Sequence, residues 1–190
     1  MRVISGEYGS RRLKAVPGNN TRPTTDKIKE GMFNLLGGYF DGGNVLDLYG
    51  GSGALAIEAV SRGMDLAVIT EKYRPAIQTI KENIAITKEE EKFVVLAGDN
   101  RNALNKFRNQ QPTFTFDLVF IDPPYHKQTI EADIDWLEDQ NFLNEDTIIM
   151  CESDDQTVLP EEMHGWELYK EKHYGQTLVR LYHRRKQVDE

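Results

Sequence analysis

The chain has one cysteine, Cys151, among its 190 residues. A single thiol excludes a disulfide framework and fits a reducing compartment, so the expected location is the cytoplasm. Cys151 sits in the apolar run TIIMCE, which marks a buried structural thiol rather than a nucleophile. The four histidines are scattered without metal-ligand spacing, so no metal site is expected. Long hydrophobic runs are also missing, and none approaches the length of a membrane span. The opening stretch MRVISGEYGSRRLKA alternates and carries charges, so it holds no signal-peptide apolar region. No internal repeat, low-complexity segment or linker divides the chain, which predicts one domain large enough to bury a core.

Basic charge is scarce, with 23 Lys and Arg against 31 Asp and Glu and a net charge of −8. That balance argues against a polyanionic partner until its distribution is considered. Residues 1–30 hold seven cations against three acids, and residues 170–190 hold six against three. The ends therefore carry +4 and +3, leaving −15 for the body. Two basic ends form a phosphate-binding face only if they meet in space. Taken singly, either end is ordinary solvated charge.

Residues 2–15 alternate about a turn at Gly6 to Ser10, which predicts a β-hairpin whose second strand carries Arg11, Arg12 and Lys14. Arg22-Pro23 is extended, and Thr24, Thr25 and Asp26 are N-cap residues for a first helix. That helix carries Ile28, Met32, Leu35 or Leu36, and Tyr39 or Phe40 on one face. From Asn44 onward strands and helices alternate. Strands are predicted over 45–49, 66–70, 93–97, 116–121 and 147–151, with helices over 54–61, 73–87, 101–109 and 130–137. Trp166 to Tyr174 and Thr177 to His183 then form an antiparallel pair. Repeated βα units imply an α/β fold with a doubly wound, mostly parallel seven-stranded sheet and an antiparallel C-terminal strand. The N-terminal hairpin and helix, over 1–40, extend a core over 44–185, within one domain spanning 1–190.

The stretch FDLVFIDPPY, Phe116 to Tyr125, organises the rest. Phe116 to Ile121 is a β-forming run that suits a strand buried on both faces. Pro123 and Pro124 end it, since neither donates a ladder hydrogen bond, and Pro123 holds Asp122 out of the helical region. A carboxylate, a rigid bend and an aromatic ring thus stand at the carboxyl end of a central strand, where open α/β sheets bind ligands. The plain alternative is a Pro-Pro turn with a capping aspartate.

A second motif, DLYGGSGALA from Asp47 to Ala56, places a glycine turn between the first strand of this core and its helix. Gly51, Ser52, Gly53 and the residues after them satisfy a loose dinucleotide fingerprint, with Glu71 at a suitable distance for a ribose. Asp47 opposes that reading, because a carboxylate beside a pyrophosphate is repulsive in a low dielectric. It suits a ligand with an ammonium group and no phosphates, such as S-adenosylmethionine. Asp47, Glu71, Asp99 and Asp122 fall at the ends of four successive strands, on one rim of the sheet.

Those residues carry a resemblance. DLYGGSGALAIEAVSRG, Glu71, GDN at 98–100 and DPPY at 122–125 resemble the Rossmann-like class I S-adenosylmethionine-dependent methyltransferases that act on amino nitrogens. MRVISGEYGSRRLKA, RPTTDKIKEGMFNLL and KHYGQTLVRLYHRR narrow it, and resemble the bacterial 16S ribosomal RNA (guanine-N2)-methyltransferase family over nearly the whole chain. Tyr49-Gly50 departs from the Phe-Ala expected in the loop.

The resemblance implies methyl transfer to the guanine 2-amino group. Asp122, Pro123, Pro124 and Tyr125 would be the catalytic set: Asp122 and the Pro123 carbonyl accept the amine protons, and Tyr125 stacks on the base. S-adenosyl-L-methionine would be held by Asp47, Tyr49, Gly51, Ser52, Gly53, Glu71, Asp99, Asn100, Thr24 and Asp26. RNA would be met by Arg11, Arg12, Lys14 and Arg22. The implied partner is 16S rRNA within an assembling or assembled small ribosomal subunit, and a monomer is expected. A DNA adenine-N6 methyltransferase is the nearest rival, although 190 residues leave no room for a separate target-recognition domain. An NAD-dependent oxidoreductase would leave DPPY unexplained.

Overall fold

A computed structural model describes residues 1–18, 24–124 and 129–186 of the chain. Five βα-type strands form its parallel half: β1 (Asn44–Asp47), β2 (Leu66–Glu71), β3 (Phe93–Ala97), β4 (Phe116–Ile121) and β5 (Leu143–Asp154). They are joined by helices α2 (Ala54–Ser61), α3 (Arg74–Thr87), α4 (Asn100–Gln110) and α5 (Ile130–Asp139), with α1 (Asp26–Leu35) ahead of them. Three antiparallel strands complete the sheet: β6 (Glu162–Met163), β7 (Trp166–Tyr174) and β8 (Thr177–Arg184). The order is β3-β2-β1-β4-β5-β8-β7-β6. β8 inserts beside β5 rather than at the edge, pairing from Ile148↔His183 to Asp154↔Thr177. The short β6 makes an eighth strand beyond the seven expected. Its two residues are too few to leave a period-2 signal.

Alternation along the strands divides the core between two faces. Val45, Ile69, Leu118, Phe120 and Met150 pack under α2 and α3. Leu46, Val68, Val119, Ile121, Ile149 and Cys151 pack under α4 and α5. β4 is therefore apolar on both sides, as its sequence run requires. Phe116 joins the second face although its parity matches Leu118, because the pairing register with β5 shifts between Phe116 and Leu118. Asp117 stands at the lower rim, where it accepts hydrogen bonds from the Asn44 backbone N–H at 2.8 Å and from Asn144 Nδ2 at 2.9 Å. Among the described residues no helix is long and apolar enough to cross a membrane.

The N-terminal stretch differs from the expected hairpin. It has a single bridge, Arg2↔Arg12, and no strand of its own. The Val3 N–H reaches the Arg11 carbonyl at 2.9 Å, the Ser10 N–H returns to the Val3 carbonyl at 2.9 Å and the Leu13 N–H reaches Met1 at 2.9 Å, a ladder too short to make two strands. The intervening backbone is spent on α2 instead. Ile4 and Ser5 N–H donate to Glu58 at 2.8 and 3.1 Å, and the Glu7 N–H donates to the Ser61 carbonyl at 2.8 Å. Consequently every residue of α2 is buried, between the sheet and the N-terminal cover.

α1 keeps its expected stripe, with Met32 buried and Ile28, Leu35, Leu36 and Phe40 packed partly buried against the same core. It stops at Leu35, and its buried residues are Lys29, Met32 and Phe33, while Tyr39 beyond it is 64% exposed. Lys29 is buried because Glu58 is buried beside it, with Nζ 3.3 Å from Oε1. The second carboxylate oxygen takes Arg62 Nε at 2.8 Å. Burial pulls the Lys29 ammonium below the ordinary lysine range, against the attraction of Glu58. On its outer side α1 packs closely against β7, and a side chain in place of Gly31 would collide with the Tyr174 ring. Lys170 Nζ caps the helix at the Leu35 carbonyl, 3.0 Å away. α1, which follows the basic N-terminal stretch, thus meets the C-terminal strand β7.

Removing a buried charge's partner exposes the full cost of burying what remains. Glu58→Ala leaves Lys29 with the Arg2 carbonyl but no countercharge, and two backbone N–H groups without their acceptor, so it is expected to lower stability by about 3–5 kcal/mol in urea unfolding. A loss below about 1 kcal/mol, the level of a surface ion pair, would show that the cluster does not carry the N-terminal cover.

Candidate active site

The strand order reverses between β1 and β4, and ligands bind above such a switch point at the carboxyl ends of the strands. Asp47 ends β1 there and is 2% exposed. Its carboxylate is hydrogen-bonded by the Tyr49 backbone N–H, and its charged neighbours are two further carboxylates, Glu71 and Glu152. Burial first, then these like charges, push its pKa well above the usual carboxylate range.

Glu71, at the end of β2, is fixed by three backbone donors. Gly51 N–H meets one oxygen at 2.9 Å, and the Lys72 and Tyr73 N–H groups meet the other at 2.8 and 3.1 Å. The bond to Gly51 ties the strand end to the glycine loop. Gly53 closes that loop at φ +82°, a left-handed conformation that favours glycine, and serves as N-cap of α2. Ser52 is held from below by Asn83, a fully buried residue of α3. Asn83 Nδ2 donates to the Ser52 carbonyl at 2.8 Å and to the Lys14 carbonyl at 2.9 Å, and its Oδ1 accepts from the Lys14 N–H at 2.8 Å.

Asp99 is exposed and caps α4, accepting the Asn102 N–H at 3.1 Å. Asn100 opens α4 and bears on the Tyr49 hydroxyl. That hydroxyl donates to Asp133 Oδ2 at 2.7 Å and lies 3.2 Å from Thr129 Oγ1. Burial is the main cause that raises the Tyr49 pKa to about 12. Asp122 is half-buried just past β4, engaged by a noncovalent partner, with Pro123 and Pro124 after it. Tyr125 lies outside the described residues, as does Arg22.

Thr24 Oγ1 donates to Glu152 Oε2 at 3.4 Å, so the start of the α1 segment reaches the end of β5. Thr25 is the actual N-cap of α1, accepting the Ile28 N–H at 3.2 Å. Asp26 faces Arg2, with 3.7 Å between Nε and Oδ2. Together with Met1, Ser10 and Arg12 these two line an open cavity of about 360 Å³. Arg12 is exposed. Arg11 is half-buried and closes the carboxyl end of α3, donating to Ile86 and Thr87 carbonyls at 3.2 and 2.9 Å. Lys14 pairs with Glu82 at 3.3 Å, both exposed to solvent. Cys151 is buried among apolar side chains, and burial raises its thiol pKa far from any nucleophilic range.

Three residues of this rim escaped the sequence reading. Glu152 repeats, on β5, the strand-end acid pattern already seen on the first four strands, and was legible by that rule. Asn83 sits on the apolar face of α3, where a buried amide demands partners, but its partners are 31 and 69 residues away. Asp133 gave no signal beyond an acid in the first turn of a helix.

A doubly wound sheet of this order, with acid-tipped strands and DPP past β4, defines a Rossmann-like methyltransferase. The chain belongs to the family described as "Conserved hypothetical protein 95", which matches residues 1–183. It is 40% identical over 185 residues to "Putative rRNA methyltransferase YlbH" of Bacillus subtilis (strain 168), covering 97% of this chain and all of that one. It is 36% identical over 187 residues to "Ribosomal RNA small subunit methyltransferase D" of Escherichia coli (strain K12), covering 98% of this chain and 91% of that one. A solved structure, "Putative methyltransferase yhhF from Escherichia coli", superimposes with a TM-score of 0.80 at 34% identity, covering 98% of this chain and 99% of that one.

Asp47 provides a test of how this rim is charged. Its folded pKa lies above the unfolded value of 3.8, so the folded state binds the extra proton. Stability contributed by Asp47 is then lost as pH rises above about 4. Asp47→Asn is expected to raise Tm at pH 7, each kcal/mol reading as about 2–4 °C, with the gain shrinking toward pH 4. An equal or lower Tm at pH 7 would show that the carboxylate is satisfied without a ligand.

Proposed function

We propose that the chain is an S-adenosylmethionine-dependent methyltransferase that modifies the exocyclic N2 amine of a guanine in 16S ribosomal RNA. The observation that carries this reading is the buried Asp47 carboxylate, whose charged neighbours among the described residues are further carboxylates. Such a group calls for a cationic ligand and is repelled by a pyrophosphate. The cofactor's ammonium answers that charge, so the residues present fit it. The glycine loop, free of side chains at Gly51 and Gly53, lets the ligand approach the backbone closely. Glu71, fixed by its three amides, is aimed to accept ribose hydroxyls. Thr24, Asp26, Tyr49, Ser52, Asp99 and Asn100 complete the proposed cofactor wall. The names of the relatives, both methyltransferases of ribosomal RNA, support the substrate class.

When bound, the cofactor supplies a methyl group already activated by its sulfonium. The chain's residues then have to present the amine. An aromatic amine is a poor nucleophile because its lone pair delocalises into the ring. Asp122 and the Pro123 carbonyl, whose direction the two prolines restrict, accept its two protons and favour a pyramidal nitrogen. Asp122 also disperses the positive charge that develops there. Tyr125 stacks on the base once it has left the RNA helix. Most of the acceleration comes from alignment. On the RNA side, exposed Arg12 and the neighbouring Arg2, with Lys14 and Arg22, offer phosphate contacts that position the substrate without reading sequence, whereas Arg11 is committed to the end of α3. The division into a 44–185 core and a 1–40 cover, acting in the cytoplasm as a monomer on the small subunit, belongs to the same proposal.

Small ribosomal subunits lacking their methyl groups, incubated with the protein and methyl-labelled cofactor, are expected to yield N2-methylguanosine on nuclease digestion. Label on adenine, DNA or protein alone would overturn the assignment. Asp122→Ala is expected to lose about 10²-fold or more in transfer rate while holding the cofactor within a few-fold. A fully active variant would remove Asp122 from the mechanism. In calorimetry the protein should bind S-adenosylmethionine and not NAD, and the reverse result would restore the dinucleotide reading.

A further inference from the structure

The Tyr49 hydroxyl occupies an unusual place. Tyr49 follows Leu48 out of β1 and leads directly into Gly50 and Gly51, so its ring stands at the root of the glycine loop. Its hydroxyl donates to Asp133 Oδ2 at 2.7 Å, and Thr129 Oγ1 donates to the same oxygen at 3.1 Å. Thr129 is the N-cap residue of α5, the helix that follows Asp122-Pro123-Pro124 in sequence. Asn100, the first residue of α4, bears on the same hydroxyl. One phenol therefore joins two parts of the rim: the glycine loop after β1 and the start of α5, which follows the DPP turn.

We propose that Tyr49 is a positioning residue whose hydroxyl, through Asp133, sets the spacing between the glycine loop and the DPP loop. In the transfer reading above, on which this rests, the first loop holds the methyl donor and the second holds the accepting amine. The distance between them is the reaction coordinate. A phenylalanine ring would fill the same space but would leave the two loops untied. Asp133 is suited to the task because it is 4% exposed and so cannot exchange Tyr49 for water. The groups that face it are Tyr49 from the β1 loop, Arg101 from α4 at 3.6 Å, Thr129 on its own helix and Cys151 from β5. Arg101 is substantially exposed, so it screens Asp133 without replacing the phenol.

The tether is strongest to the ionised carboxylate, since a protonated acid is a much weaker acceptor. Burial is the main cause raising the Asp133 pKa, so the tether is expected to fail on the acid side at a pH above the usual aspartate range. This gives the hydroxyl a signature that ring packing lacks. Tyr49→Phe should bind S-adenosylmethionine within about twofold of the wild type and lose on the order of tenfold in kcat, the scale of a modest misplacement of reacting atoms. The ratio of wild-type to variant kcat should be largest at neutral and higher pH. It should fall toward one as Asp133 protonates, while titrations of Asp47 and Asp122 affect both proteins alike and cancel. Asp133→Ala cuts the same tether from the other end, so the double variant should lose no more than either single one. Wild-type kcat in Tyr49→Phe, a kcat ratio independent of pH, or additive losses would each overturn the proposal. The ring that lines the cofactor wall is kept in Tyr49→Phe, so a loss confined to cofactor affinity would do so too, by assigning the hydroxyl to the cofactor and not to the tether. A wild-type protein that transfers no methyl group would instead overturn the functional reading on which the tether depends.

Discussion

The architecture turns on one buried carboxylate. Glu58 lies in the middle of a helix whose every residue is buried, and it gathers two backbone N–H groups, an ammonium and a guanidinium around its two oxygens. A carboxylate is costly to bury alone, and each of these donors is costly to bury without it. The cluster therefore forms as a set. Its members come from the N-terminal stretch, α1 and α2, so forming it brings the start of the chain and α1 down onto α2 and the core beneath it. Arg62 extends the set, with its guanidinium 5.0 Å from the Phe33 ring centre and a hydrogen bond of 3.0 Å to the Gly38 carbonyl. The placement of Thr24 beside Glu152 and of Met1 beside Ser52 follows from this anchor.

The upper rim shows how one residue type takes different roles in different surroundings. Asp47 is buried near other carboxylates and is left wanting a cation. Glu71 is satisfied by three amides and becomes a fixed acceptor. Asp99 is exposed and spent on a helix cap. Asp133 accepts a phenol and a threonine and joins two loops. The lower rim has its own acid, Asp117, with purely structural partners. Negative charge at strand ends is thus not by itself a site. What distinguishes Asp47 is burial without a countercharge among the described residues, which is the condition that makes a ligand worth binding.

Much of the fold was legible. The boundaries of α2, β3 and β4 coincide with the sequence reading, because each is a run whose period and end residues agree. The reading failed where long-range partners overrode local pattern. The N-terminal hairpin keeps only a short ladder because its turn is spent on α2, and α1 buries Lys29 in addition to its apolar stripe, because the carboxylate that makes a buried lysine tolerable is 29 residues away. Of the candidate site, the acids and the glycine loop were legible as chemistry at strand ends. Asn83 was not, since an amide in a helix declares no partner. Arg11 is an instructive case between the two. It is one more cation in the sequence, yet in the structure it closes the carboxyl end of α3.

The sequence by itself determined the strand and helix order, the turn chemistry of DPPY and of the glycine loop, and the rim on which the acids fall. These depend on properties that travel with each residue: period, proline geometry, glycine freedom and charge. Only the tertiary structure decided which acids are buried, which cations are already spent, and which loops a single hydroxyl ties together. Burial and hydrogen-bond partnership belong to pairs of groups distant in the chain, and packing alone brings those pairs within reach.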